Sequence, residues 1–320
     1  MPIAAEAASA GSLATIIAAS RAPARRSTSV EPLSMLSYRH AFHAGGPADV
    51  LKHAVLTFVL AYAGRKAKPF YLLDTHAGAG TYDLPSPEAQ RTGEHRAGMA
   101  RLLAPASNEP DLVAPYLALI RAANPKGRPE VYPGSPMLAR RLLRPQDRHE
   151  LAELHPTDHR QLARLLGHAP RVNVMRDDGL ALLIARLPPP ERRGIVLIDP
   201  SYEIKSDYEA VVRALTKAYR RFATGTYLLW YPVIERRRVE ALLDGLRASG
   251  LRALYRVELC LLPDAPGRGM TGSGVLAINP PWTLPEAVDR ALPWLVERLE
   301  AVGPSTAGWL VPERSTSWAN

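Results

Sequence analysis

The chain carries one cysteine, Cys260, in 320 residues. A single thiol excludes a disulfide framework and any multi-cysteine zinc site, and it suits a reducing compartment, the cytoplasm. No apolar run reaches the ~18 residues that a membrane-spanning helix requires, so no membrane partner is expected. His40, His43 and His53 fall close together, but their spacing fits no zinc pattern and no metal is expected. Acids are in deficit, 31 against 40 lysines and arginines. The resulting formal charge of +9 favours a polyanionic partner, nucleic acid before membrane.

What is present is ordinary for a globular protein, with 47% hydrophobic and 22% charged residues. The length suggests about two domains or one large one. Residues 1–34 are rich in Ala and Ser, with Arg21, Arg25 and Arg26, and read as a disordered extension. Met35 begins a different texture and is a candidate for the true start. From there to His53 the chain is dense in polar aromatics. Gly46-Pro47 suits a helix start, with Asp49 in the first turn and Gly64 past the end.

Two stretches carry the chemistry. Phe70-Tyr71-Leu72-Leu73-Asp74 is an apolar strand ending in an acid, followed by Thr75-His76-Ala77-Gly78-Ala79-Gly80. Ligands of open α/β sheets bind beyond the carboxyl ends of such strands, and the glycines let backbone N–H groups come close. The loop lacks the third glycine of a dinucleotide fingerprint. Far downstream, Gly194-Ile195-Val196-Leu197-Ile198 runs into Asp199-Pro200-Ser201-Tyr202. Acid, proline, small residue, aromatic is the pattern of enzymes that methylate exocyclic amino groups.

Between and after them, strands alternate with helices, which implies a mostly parallel sheet covered on both faces. Seven strands are expected, at about 70–74, 149–155, 172–179, 194–199, 226–231, 251–262 and 274–278. Residues 82–129 read as a helical insertion, with helices at about 87–103 and 110–123. Ser135-Pro136 is expected to cap a helix. Residues 35–81 and 130–313 then form one α/β core, and 314–320 a tail.

Met35-Leu36-Ser37-Tyr38-Arg39-His40-Ala41-Phe42-His43-Ala44-Gly45, the Asp74 loop, Tyr132-Pro133-Gly134-Ser135-Pro136, Glu153-Leu154-His155-Pro156 and Asp199-Pro200-Ser201-Tyr202-Glu203 occur together. Jointly they resemble the RlmJ-type 23S ribosomal RNA adenine-N6 methyltransferases, from Met35 to about Glu313. The resemblance implies a Rossmann-like class I methyltransferase fold that uses S-adenosyl-L-methionine. It implies adenine N6 of protein-free 23S ribosomal RNA as acceptor, and a cytoplasmic monomer. Asp199, the Pro200 carbonyl and Tyr202 are then the catalytic group, the first two accepting the N6 hydrogens and Tyr202 stacking on the base.

Glu153 suits the ribose hydroxyls of the cofactor, Asp178 with Gly179 its adenine, and the Gly78 loop its methionine part. The family adds His53, His76, Ser135 and Asp199 as cofactor contacts. It also adds Tyr38, His40 and Lys52 beside the target base. Arg39, Arg236, Arg237, Arg238 and Arg268 are candidates for phosphate contacts. Ser201 stands where the general motif has a second proline. Asn279-Pro280-Pro281-Trp282 fits that general motif better, but an antiparallel seventh strand would carry it to the edge away from the cofactor. A DNA adenine or protein amide methyltransferase, or an inactive RNA-binding module on the same core, remains open.

Overall fold

The computed structural model describes residues 38–204, 206–265 and 267–313. The expected extension at 1–34, the Met35-Leu36-Ser37 part of the first motif and the tail at 314–320 lie outside the described residues.

Helix α1 (Pro47–Gly64) starts as expected, with Gly46 as its cap and Asp49 in its first turn. Gly64 closes the helix rather than following it, and Arg65 is the cap. Apolar residues occupy nearly every side of α1, which marks a helix buried all round. It also takes Asp49, Lys52, His53 and Thr57 out of water.

The strands are β1 (Tyr71–Asp74), β2 (Thr81–Asp83), β3 (Val131–Pro133), β4 (Arg148–Ala152), β5 (Val172–Met175), β6 (Gly194–Ile198), β7 (Thr226–Val233), β8 (Leu254–Cys260), β9 (Gly272–Ile278) and β10 (Thr306–Val311). Eight of them form one sheet in the order β10-β8-β9-β7-β6-β1-β4-β5. From β5 to β7 neighbouring strands are parallel; β9 then runs antiparallel between β7 and β8. This is the expected class I methyltransferase sheet, with one correction. An eighth strand, β10, adds antiparallel to β8 at the edge. Sequence reading missed it because Thr306-Ala307-Gly308-Trp309-Leu310-Val311 is short and shows no clean alternation.

Alternate strand residues serve opposite faces. Leu72, Ile195 and Leu197 join the core under α1, whereas Tyr71, Leu73, Val196 and Ile198 join a second core. The second core lies under α7 (Gly179–Ala185), α8 (Ser206–Arg221) and α9 (Arg236–Ala248).

The insertion is less helical than expected. The run to Leu103 breaks into α2 (Pro87–Thr92), α3 (Glu94–Ala97) and a 3₁₀ turn (Met99–Leu102), because Gly93 and Gly98 interrupt it. Gly98 is required there: a Cβ would lie 2.2 Å from the Gly45 carbonyl oxygen. α4 (Ala114–Ala123) completes the segment, and β2 pairs with β3 at its base. Leu84, Met99, Leu102, Tyr116 and Ile120 all join the core under α1.

Candidate active site

β1 and β6 are parallel neighbours, with Asp74 opposite Leu197. The two acid-tipped strands therefore end side by side, and a crevice of about 380 Å³ opens beyond them. His53, His76, Gly78, Ser135, Glu153, Asp178, Gly179 and Asp199 all line it. The sequence reading brought each of these residues to one place.

Backbone close approach shapes the crevice. Gly78 has φ +64°, and a Cβ on it would meet the Tyr82 hydroxyl at 2.2 Å. A Cβ on Gly179 would meet the Thr75 carbonyl oxygen at 1.8 Å. The Gly78 N–H donates to Glu153 Oε2 at 2.8 Å and the His155 N–H to Oε1 at 2.6 Å. Each Glu153 oxygen keeps acceptor capacity for a hydroxyl. Burial pushes the Glu153 carboxyl up to about 7, against the pull of those two N–H groups.

Asp178 also caps α7, accepting from the N–H groups of Leu180 and Ala181. Ser135 does not cap its helix, α5 (Ser135–Leu142); Gly134 holds that position. The Ser135 hydroxyl donates instead to Asp74 Oδ2 at 2.6 Å. Asp74 is itself buried, and burial raises it to about 6. His53 pairs through Nδ1 with the Tyr132 hydroxyl at 2.6 Å, while its buried Nε2 has no partner. Burial holds His53 near 3 and His76 near 4, so both rings are neutral at physiological pH. An orphaned ring nitrogen, a half-used carboxylate and two glycines that admit no Cβ suit a polar ligand such as S-adenosylmethionine.

On the other side of Asp199 a hydrogen-bonded series crosses the site. The Tyr38 hydroxyl meets His40 Nδ1 at 2.9 Å, and His40 Nε2 meets Asp49 Oδ2 at 2.9 Å. Lys52 Nζ lies 2.9 Å from Asp49 Oδ1 and 2.6 Å from Asp199 Oδ2. Lys52 is only 4% exposed, and its ammonium is turned to these two carboxylates. It is the counter-ion of two carboxylates. Burial opposes its charge, yet Asp199 and Asp49 hold its pKa above the ordinary value.

Burial also works on Asp49, but His40, Lys52 and His53 together hold that carboxyl well below the usual range. At Asp199 burial outweighs the Lys52 charge, and the carboxyl rises. Asp49 was not foreseen as a site residue. Its sequence signal, an acid in a helix's first turn, is common to most helices.

Tyr202 departs from expectation. It is 5% exposed, with φ +53° and its hydroxyl donating to the Trp230 carbonyl at 2.9 Å. Its ring packs 4.5 Å from Tyr208. It borders a second cavity, of about 710 Å³, rather than standing free as a stacking surface. This second cavity meets the crevice at Tyr38, His40, Lys52, Asp199, Ser201 and Glu203. The Tyr38 N–H closes the junction by donating to Glu203 Oε1 at 2.9 Å.

The arginines divide. Arg236 is held by Glu258 and Asp264, Arg238 by Glu235 and Arg39 by Asp158. Arg237 is exposed on α9, and Arg268 is exposed on the loop before β9, between Gly267 and Gly269. The rival Asn279-Pro280-Pro281-Trp282 segment follows β9 at the opposite edge, beside Phe70, Gly194 and Thr226. Asn279 Nδ2 donates there to the carbonyls of Ala223 and Gly225, a structural task.

Comparison with known proteins agrees with this geometry. Residues 67–311 match the family described as ribosomal RNA large subunit methyltransferase D, RlmJ. Ribosomal RNA large subunit methyltransferase J of Escherichia coli K12 is 47% identical over 281 residues, covering 87% of this chain and 100% of that protein. The protein of the same name from Haemophilus influenzae is 46% identical, with the same coverage. A crystal structure of protein LPL1258 from Legionella pneumophila superposes with a TM-score of 0.76 at 39% identity, covering 83% of this chain and 97% of that one. On fold, site and relatives alike, this chain belongs to the RlmJ family of ribosomal RNA large-subunit methyltransferases.

Proposed function

We propose that the protein methylates the exocyclic N6 of one adenine in 23S ribosomal RNA, using S-adenosyl-L-methionine. The observation that carries this reading is the position of Asp199. Its carboxylate stands where the polar crevice and the second cavity meet, at the tip of a strand beside the glycine loop.

The cofactor supplies an electrophilic methyl group. The protein must hold a weak nucleophile against it, because the N6 lone pair is delocalised into the purine ring. The Asp199 carboxylate and the Pro200 carbonyl accept the two N6 hydrogens, which orients the amine and favours its tetrahedral form. Transfer forms an N–C bond, breaks a C–S bond and releases one N6 proton. A carboxyl with a raised pKa is suited to receive that proton. Lys52 keeps the carboxylate ionised before the reaction. Most of the acceleration then comes from positioning and fixed charge.

Glu153, with acceptor capacity left on both oxygens, holds the ribose hydroxyls; His53, His76, Gly78, Ser135, Asp178 and Gly179 complete the cofactor contacts. Tyr38 and His40 flank the target base, and Arg268 meets the phosphate backbone. The base leaves its stack to reach the site. The protein acts as a monomer on protein-free RNA in the cytoplasm. No described helix is long and apolar enough to cross a membrane.

The test uses tritiated cofactor with naked 23S RNA and with duplex DNA. Label is expected in the RNA, and equal labelling of DNA would overturn the substrate assignment. Asp199→Ala is expected to bind cofactor within about tenfold of wild type and to lose transfer. Absence of cofactor binding by the native protein in calorimetry would leave only the inactive RNA-binding module.

A further inference from the structure

The second cavity is larger than one purine needs. At about 710 Å³ it sits well inside the range of sites that enclose whole drug-sized ligands. Its two ends differ in chemistry. Near Asp199 the walls are His40, Asp49, Lys52 and Glu94, and beyond Trp230 they are Ile234, Leu261, Leu262, Met270 and Val302. Ile234 is 43% exposed, Leu262 37%, Met270 38% and Val302 70%. Four exposed apolar side chains around one trough are a binding surface and not scatter.

From this continuity we infer that the apolar end is a subsite for the base next to the target adenine in the RNA strand. The inference rests on the proposed acceptor site at Asp199. A base adjoining an extruded adenine is covalently tethered to it and has lost a stacking partner. The Ile234–Met270 wall offers it exposed apolar surface within the same cavity. Methionine and branched aliphatics accept either purine or pyrimidine faces, so the subsite adds affinity without reading sequence. Arg268, exposed two residues from Met270, adds positive charge to the same loop.

Isothermal titration tests this with enzyme saturated in S-adenosylhomocysteine. The probes are adenosine 5′-monophosphate and dinucleoside monophosphates carrying adenine at their 5′ or 3′ end. One of the two dinucleotide polarities is expected to bind about 2- to 12-fold more tightly than the mononucleotide, the range set by methionine sulfur against an aromatic ring. In Ile234→Ser and in Met270→Ser that ratio is expected to shrink towards one. Both polarities matching the mononucleotide, or a ratio unchanged in both variants, would overturn the subsite and leave the acceptor site standing. Failure of the mononucleotide itself to bind would strike at the acceptor site instead.

Discussion

Lys52→Met is the most revealing substitution. It keeps the stem of the side chain and removes only the charge. Lys52 Nζ now lies 2.6 Å from Asp199 and 2.9 Å from Asp49, and the residue is 4% exposed. Removing one partner of a buried ion pair costs about 3–5 kcal/mol, because the remaining charge is left uncompensated. At roughly 2 °C per kcal/mol for a chain of this size, the midpoint of unfolding is expected to fall by about 6–10 °C in calorimetry.

The kinetic consequence has a distinct signature. A nearby opposite charge holds a carboxyl down by about 1–3 pKa units. Without it, Asp199, which burial already raises, rises further, so a larger share of the carboxyl is protonated at a given pH and cannot accept an N6 hydrogen. Single-turnover transfer is expected to lose its acid side, that limb of the pH profile moving up by about 1–3 pH units, and to recover as pH rises. Asp199→Ala has no carboxyl to ionise and is expected to show no recovery. An acid limb unmoved in Lys52→Met would refute the view that this cation keeps Asp199 ionised.

Other expectations follow from single contacts. Glu153 titrates near 7 in the folded chain, above its ordinary 4.5. Its contribution to stability is therefore present below about pH 4.5 and lost as pH rises through 7. Cofactor binding, which uses the carboxylate, is expected to strengthen over the same interval, and Glu153→Gln to flatten both curves in thermal-shift and titration series. Gly179→Ala puts a methyl against the Thr75 carbonyl and is expected to cost about 1–3 kcal/mol and most cofactor affinity. Asn279→Ala loses two hydrogen bonds far from the crevice. It is expected to lower stability by about 1–3 kcal/mol with kcat unchanged; a collapse of kcat would return the Asn279 segment to candidacy.

Much of this molecule was legible as sequence, and for identifiable reasons. β1 and β6 are continuous apolar runs ending in acids, and buried parallel strands read that way. Their adjacency follows from the strand order of the fold that the motifs implied. The role of Lys52 was not legible, because its partner Asp199 lies 147 residues away and only the folded chain brings them together. Tyr202 was read as a free aromatic. Its bond to Trp230 depends on β7 being next to β6, which no local pattern encodes. The eighth strand and the broken insertion helices were missed where glycine and short length blurred the periodicity.

The two cavities draw on different spans of the chain. The crevice uses residues between Tyr38 and Ala210, whereas the trough also needs Trp230, Met270 and Val302. The helix Leu284–Arg298 packs in one core with α1, which carries His53 and Lys52, so the crevice too leans on the C-terminal part of the chain. A chain ending before Leu299 loses Leu299, Glu300 and Val302 from the trough and Leu299 from the core it shares with α1. Competence to modify RNA is therefore expected only once the helix Leu284–Arg298 and the turn that carries Val302 have emerged.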